Sequence, residues 1–446
     1  MVCLTIPNKY SLNSFCIIGA GAAGLCAARH LIPLSSVRTT VFEQASCVGG
    51  TWVYTDNVGQ NEHGQPIHSS MYKNLRTNLP KEVMAFPDYP FQNSSGESFL
   101  HHSDVLRYLE DYKKHFDIEK FIKYNMRISD VRPRISDGST KWEVTANCLK
   151  TQQKEISSFD YIMICNGHYS IPIVPDIPDI SKYSGTFIHS HDYRSPEKFD
   201  QKSVLILGGG ASGTDICVEL SKHAKHVYLS HNNPFLTTDL PVNVSQVKGV
   251  ESCIGFDSFS LTDGSQIQCD AVILATGYEY NFPFLSDSCE ITVTKRRVSP
   301  LYKHFINIEH PSMCFIGIPV QICPFPQFDL QIRYFVKMIA GKLQLPSKLE
   351  MYDDLEREVN WRLNELRMSE KHLHKMGTLQ WTYNKEIAEL GNLVPIPQGV
   401  ENLYNAVWER RRTNLPDYKK DSYSMIDSEH FSGNIFIPET GTYKNI

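Results

Sequence analysis

The amino-acid sequence predicts an α/β protein built from two doubly wound units, the smaller inserted into the larger. Three observations carry this expectation. An apolar run, a glycine-rich turn and a helix-forming stretch follow one another at "FCIIGAGAAGLCAARH", residues 15–30. The same succession returns at "VLILGGGASGTD", residues 204–215. Proline-rich "HYSIPIVPDIPDI" (168–180) and the end of "ATGYEYNFPFL" (275–285) bracket the second loop and suit hinges between units. The expected plan is a first unit from residues 1–170 and 285–446, its second part carrying C-terminal helices, around an inserted unit of residues 171–284.

Each element of the first loop has a physical reason. Phe15 to Ile18 read as a short buried strand. Gly19, Gly21 and Gly24 form G-x-G-x-x-G: the first permits the tight turn, the second lets backbone approach a diphosphate, and the third lets helix pack close to strand. The helix N-terminus then offers free N–H groups and a favourable dipole to phosphate. A second strand, "TTVFE", ends at Glu43, whose carboxylate suits adenosine ribose hydroxyls. Strand, loop, helix, strand and terminal acid in register describe a Rossmann-like site. Just beyond, "CVGGTWVY" (47–54) places Gly49-Gly50 for close passage beside a cofactor. Cys47 has no nearby partner, which disfavours dithiol chemistry, and Trp52 reads as a wall of a flavin pocket.

The second loop is Gly208, Gly210 and Gly213. The strand after it, "HVYLS", ends at Ser230 and His231, with no acid to repel a 2′-phosphate. Hydroxyl and imidazole can bind that group, so NADPH is expected over NADH, although Asn232 and Asn233 stand where an arginine is familiar. Two loops imply two nucleotides: FAD retained by the first and NADPH taken up by the second. Hydride would pass between them where the units meet.

Bulk properties exclude other classes. At 446 residues and 41% hydrophobic the chain is long enough for several cores. A net charge of −5 gives no nucleic-acid footprint. No stretch reaches the ~18 apolar residues of a membrane helix. The basic runs Lys295-Arg296-Arg297 and Arg410-Arg411-Arg412 read as solvated surface. The polar end "DSEHFSGNIFIPETGTYKNI" holds no tail anchor, and the beginning "MVCLTIPNKYSLNS" has no leader pattern. Asn93-Ser94-Ser95 and Asn243-Val244-Ser245 are sequons of a kind that arises by chance. The scattered cysteines read as small buried hydrophobes, and "HSH" (189–191) lacks a third ligand, so no metal is expected. Leu355, Val359, Leu363 and Leu366 share a helical spacing that predicts a surface helix packing one face.

From residue 14 to about 400 the chain resembles the flavin-containing monooxygenases. The resemblance rests on "GAGAAG", "GGTW", "YKNLRTNLPKEVMAFPDYPF" (72–91), "YSGTFIHSHDYR" (183–194), "GGGASGTD", "ATGY" (275–278) and "PLY...FIGIP" (300–319). Within the family identifier, Tyr183, Gly185, His189 and Tyr193 fit, with Tyr183 replacing the usual Phe. Baeyer–Villiger relatives usually have Trp at the last position. The compact length, the missing tail and "SHNN" look most like the insect branch that includes pyrrolizidine-alkaloid N-oxygenases.

The resemblance implies FAD, NADPH and O₂ as cofactors, and Asn78 as the residue that hydrogen-bonds the cofactors beside the flavin C4a atom. A neutral amide donates and accepts there without releasing a proton. It extends the FAD set to Gly19, Gly21, Ala22, Ala23, Gly24, Glu43, Gln44, Gly50, Thr51, Trp52, Thr77, Asn78, Val131 and Gln331. The NADP set becomes Gly208, Gly210, Ala211, Ser212, Gly213, Ser230, His231, Ala275, Thr276 and Gly277. The implied reaction is attack of a tertiary amine or thioether on a C4a-hydroperoxyflavin, with N-oxygenation of an alkaloid expected. The alternatives are a Baeyer–Villiger ketone monooxygenase and a non-catalytic FAD/NADP redox sensor. The expected partner is a small-molecule amine or sulfide, with neither nucleic acid nor membrane, in a monomer or homo-oligomer. The expected location is soluble, in the cytoplasm or outside the cell after loss of a leader.

Overall fold

The computed structural model describes residues 13–92, 96–136 and 139–446. The stretch read for a leader, Cys3 and the sequon at Asn93 lie outside the described residues. Two sheets organise the chain, the first mixed and the second wholly parallel. In the first, the apolar strand Asn13–Ile18 pairs in parallel with Val37–Phe42 on one side and Tyr161–Ile164 on the other. Ile122–Lys123 extends one edge, and Met313–Phe315, Ile306–Asn307 and Leu301–Tyr302 extend the other to seven strands. The chain therefore returns to this sheet after completing the second. The second sheet has five parallel strands in the order Val244–Val247, His226–Ser230, Ser203–Leu207, Ala271–Leu274 and Thr186–His189. Both glycine loops leave the carboxyl end of an interior strand, which is where α/β sheets bind ligands.

Three antiparallel strands, Met126–Ser136, Ser139–Cys148 and Lys154–Phe159, cover one face of the first sheet. Trp142, Val144 and Phe159 join Ile18, Ile162 and Phe315 in a single core. On the other face the helix Ala22–Leu31 packs with His102–His115 and Pro324–Ile339. The chain ends in an antiparallel sheet, Ser422–Met425, Phe431–Ile437 and Thr442–Asn445, where the sequence suggested only a polar tail. Its strands are half-exposed on both faces, so they carry no clean alternation to read.

Local expectations are corrected in two places. The helix Lys348–Asn360, opened by a Ser347/Glu350 capping box, runs into a π turn at Trp361–Glu365. The extra residue in that turn rotates the face. Arg362 is buried at 2% instead of Leu366, which is 38% exposed. The run Arg410-Arg411-Arg412 is not plain solvated surface: Arg410 pairs with the buried Asp421, and Arg411 donates to Thr214 Oγ1 at 2.9 Å. The described cysteines are all free and, apart from Cys47 and Cys148, buried as expected. Asn243 spends its amide donors on the Ser221 and Ala224 carbonyls.

Arg362 belongs to a polar relay that ties the C-terminal elements together. Val298 N–H donates to His374 Nε2 at 3.0 Å, so the proton of His374 lies on Nδ1 and goes to His304 Nδ1 at 2.9 Å. His304 Nε2–H then donates to Glu358 at 2.8 Å, and Arg362 completes that carboxylate at 2.9 Å. Burial, and next the neighbouring His304, hold His374 well below the usual histidine value of 6.5. An unfolded His374 takes up a proton below 6.5 and the folded one does not, so this contribution to stability is lost as pH falls. His374→Gln is expected to reduce proton uptake on unfolding near pH 5.5 by close to one proton, roughly 1.2 kcal/mol per pH unit of slope. Urea unfolding of both proteins from pH 5 to 7.5 measures it; identical slopes would refute the assignment.

Candidate active site

The two glycine loops are the same geometric object. Gly19 and Gly208 have φ of +103° and +126°. A Cβ on Gly19 would stand 2.5 Å from Cys165 O, and one on Gly208 would stand 2.3 Å from Ala275 O. A Cβ on Gly24 or Gly213 would lie 1.8 Å from the carbonyl oxygen of the first glycine of its loop. The fold itself requires these four glycines. The middle ones differ. A Cβ on Gly21 meets only Gly50 Cα, at 3.6 Å, and one on Gly210 meets nothing within 4 Å. Each middle glycine is the N-cap of its helix, and no side chain caps the first-turn N–H groups of Ala22 and Ala23 or of Ala211 and Ser212. Bare donors beside an open cradle suit a diphosphate from outside the chain.

Around the first loop the fit to FAD is mixed. Gly50, at φ +55°, would bring a Cβ within 3.1 Å of Gly21 Cα, so the 49–52 turn closes over the cradle. The Thr51 hydroxyl is buried without a protein partner. Trp52 is partly buried against the core beneath it. Glu43 accepts N–H groups of Ala20 and Ala45 at 2.7 and 2.8 Å, and each oxygen keeps a lone pair for a ribose hydroxyl. Burial pushes the Glu43 carboxyl up against those hydrogen bonds. Gln44 is exposed, and Thr77 is buried, accepting Leu100 N–H at 3.0 Å. Two residues expected at the cofactor are engaged within the protein. Val131 is wholly buried, and its N–H and carbonyl are used by Phe284 and Ser286. Gln331 is wholly buried too, accepting Gly317 N–H and donating to Tyr383. It holds the Gly317 turn in place.

Around the second loop Ser230 and His231 are also corrected. Ser230 is 0% exposed and donates to Lys248 O at 2.8 Å. The His231 ring is buried against Gly209, with its nitrogens near Asn233 O and Gln246 Oε1. Neither is available to a phosphate as the strands stand. Ala275 packs on Gly208, Thr276 donates to Ile173 O, and Gly277, at φ +89°, accepts Ile173 N–H.

Between the cradles runs the 72–80 loop. Tyr72 donates to Asp215 and Asn74 donates to Glu219 at 2.9 Å, both on the helix Ala211–Leu220 of the second unit. Tyr193 of the identifier stretch donates to the same Glu219 at 2.6 Å. Gly185 is obligatory, since a Cβ there would stand 2.5 Å from Asp270 O. That stretch is thus a structural seam. Asn78 is half-buried and caps no local backbone; among the described residues its side chain accepts one hydrogen bond, from Tyr418 at 3.3 Å. His68, His168 and His189 are all held below the usual range chiefly by burial, the last two at about 4. His189 Nδ1 accepts His191 N–H. Among the described residues one Cys–His–Asp group, Cys26, His30 and Asp329, comes within 4.8 Å, and its carboxylate is held by His30 and Arg333 at 2.6 Å each. No helix of the described residues is long and apolar enough to cross a membrane.

Comparison with known proteins gives this geometry a family. The flavin-binding monooxygenase-like family matches residues 13–238 and 236–401. The chain is 33% identical over 422 residues to the flavin-containing monooxygenase FMO GS-OX-like 4 of Arabidopsis thaliana, covering 91% of this chain and 93% of that one. It is 37% identical over 366 residues to FMO GS-OX-like 2 of the same plant, covering 78% of each. The structure of S-allyl-L-cysteine S-oxygenase from Allium sativum superposes with a TM-score of 0.84 at 34% identity, over 91% of this chain and 94% of that one. Cyclohexanone monooxygenase shares the fold alone, at 13% identity and a TM-score of 0.60. The chain belongs to the flavin-binding monooxygenase-like family and is a monooxygenase that works with FAD, NADPH and O₂.

Proposed function

We propose that the chain oxygenates a soft nucleophile, a thioether sulfur or a tertiary amine nitrogen, at a site beside Asn78. The observation that carries this reading is the 72–80 loop, seated on the first unit and hydrogen-bonded to the crossover helix of the second. When bound, FAD supplies the redox chemistry with O₂ that no side chain of the chain supplies. The protein binds, orients and excludes water. Gly21 and the first-turn N–H groups hold the FAD diphosphate, Glu43 the ribose, and the Thr51 hydroxyl a further polar atom. Asn78 offers two N–H donors and no acidic proton. Limits of 171–284 for the inserted unit agree with this division of labour. Gly210, Ala211 and Ser212 are exposed, which suits a nucleotide that comes and goes, whereas the first loop is largely covered.

Sulfur is the favoured substrate atom, because a similar structure is an S-oxygenase of S-allyl-L-cysteine. The amine reading rests on the "SHNN" likeness to the insect N-oxygenases, and the site serves both, since neither needs a protein nucleophile. Mass spectrometry of products from an S-alkyl cysteine, a tertiary pyrrolizidine alkaloid and a cyclic ketone tests it. Sulfoxide or N-oxide is expected. A lactone as main product would favour the ketone monooxygenase, and NADPH oxidation without oxygenated product would favour the redox sensor.

Three outcomes follow for single residues. Gly21→Val leaves room for its Cβ but fills the diphosphate cradle, so the protein should fold and purify without yellow colour. Full flavin occupancy would sink the cradle. With Ser230 and His231 engaged, we place 2′-phosphate recognition on Lys248, whose ammonium sits 4.6 Å from the ring centroid of Phe235 beside His231. Lys248→Gln should shrink the preference for NADPH over NADH by about tenfold, roughly 1.4 kcal/mol. An unchanged ratio of kcat/KM for the two nucleotides would exclude it. Asn78→Ala removes donors whose loss costs roughly 1–3 kcal/mol. FAD content should stay normal, while hydrogen peroxide replaces oxygenated product as NADPH is consumed. Full coupling in that variant would reduce Asn78 to a turn residue.

A further inference from the structure

A primary amide is a two-faced group. Rotated by half a turn, Asn78 would present an acceptor where it had presented two donors. Something must choose between the two, and the local chain does not, because Asn78 caps no backbone group. The residue in reach is Tyr418, which lies 340 positions away in sequence. Tyr418 is 2% exposed, and its ring stands edge-on to Phe99 at 5.2 Å. Phe99 precedes Leu100, whose N–H and carbonyl both bond Thr77, so ring and catalytic loop share one support. The next residue, Lys419, donates to Arg76 O at 3.0 Å and to Asp215 on the second crossover helix. The Tyr418–Lys420 turn therefore touches the loop at Asn78 and at Arg76 and fastens it to the inserted unit.

We propose that Tyr418 is a positioning residue for Asn78: its phenol donates to Asn78 Oδ1 and so commits both Nδ2 protons to the cofactor side. The reverse arrangement, with Nδ2 donating to the phenol oxygen, would leave the phenol proton without an acceptor among the described residues, a costly state for a buried donor. Burial pushes the Tyr418 phenol up, so it keeps the proton it donates. The lock acts through orientation and adds no reacting group.

The proposal rests on the Asn78 reading above, and a double-mutant cycle separates the two. Wild type, Tyr418→Phe, Asn78→Ala and the double variant are prepared as FAD-loaded protein. Two quantities are measured for each: the Kd for NADP⁺, from the change in flavin absorbance on titration, and the hydrogen peroxide released per NADPH. Tyr418→Phe removes one oxygen and keeps the ring, so melting temperature and FAD content should match wild type. The Kd for NADP⁺ should rise about three- to tenfold, with peroxide release rising several-fold. In the Asn78→Ala background the same change should alter neither quantity, because the group it orients is gone. Equal effects in both backgrounds would show that the hydroxyl acts through packing and overturn the proposal, as would a Tyr418→Phe protein identical to wild type. An Asn78→Ala protein that binds NADP⁺ and couples normally would overturn the Asn78 reading first, and the positioning role with it.

Discussion

The arrangement depends on two carboxylates of the second crossover helix, Asp215 and Glu219. Several polar ties from the first unit converge on them: Tyr72 of the catalytic loop and Lys419 of the C-terminal turn bond Asp215, and Asn74 of the loop bonds Glu219, which Tyr193 of the inserted unit also holds. Burial pushes the Glu219 carboxyl up, while the Tyr193 and Asn74 hydrogen bonds oppose the shift. Burial and the neighbouring carboxylate also push the Tyr193 phenol up, so the proton stays on the donor. Both carboxylates are partly buried: Asp215 is shared by the Tyr72 phenol and the Lys419 ammonium, and Glu219 by the Tyr193 phenol and the Asn74 amide, so removing a partner would strand a partly desolvated group. Two separately folded sheets thus acquire a fixed seam. Without it the nicotinamide and flavin would have no common geometry, and proximity is what the protein supplies in chemistry carried by cofactors.

Much of this was legible in the sequence where it is local. Gly24 and Gly213 announce themselves because each is demanded by the carbonyl of the first glycine in its own loop, whereas Gly19 and Gly208 are demanded by Cys165 O and Ala275 O at the ends of neighbouring strands and are legible through the motif spacing alone. The strand–loop–helix register follows from apolar runs whose burial needs no knowledge of the rest. Gly185 in the identifier stretch is legible from the family pattern, while the carbonyl that excludes its side chain, Asp270 O, comes from a distant part of the chain.

What failed is tertiary. Ser230 reads as a phosphate ligand from its place at a strand end, but the adjoining strand brings Lys248 O to its hydroxyl. The Val131 backbone and the Gln331 side chain are likewise engaged by long-range neighbours at Phe284, Ser286, Gly317 and Tyr383 that no local pattern reveals. Arg410 and Arg411 look like a solvated run because nothing in the sequence shows that Asp421 is buried or that Thr214 lies beside the last helix. Arg362 misleads because a single π turn changes which side chain faces the core. In each case the competing partner sits where periodicity and motif spacing carry no information.

The two cradles are alike in backbone, so the different fates of their nucleotides cannot come from the glycine loops. They come from what lies over them. Gly49 and Gly50 carry the chain back across Gly21 at backbone contact, which only a residue without a side chain permits at that φ and distance. The Thr51 hydroxyl is buried beneath the same turn. Nothing comparable covers Gly210, whose missing Cβ would face open space. A diphosphate in the first cradle would lie beside the 49–52 turn, whereas one in the second would lie beside open space. A difference in retention between two nucleotides would therefore arise from this four-residue cover and not from the binding motif that both loops share.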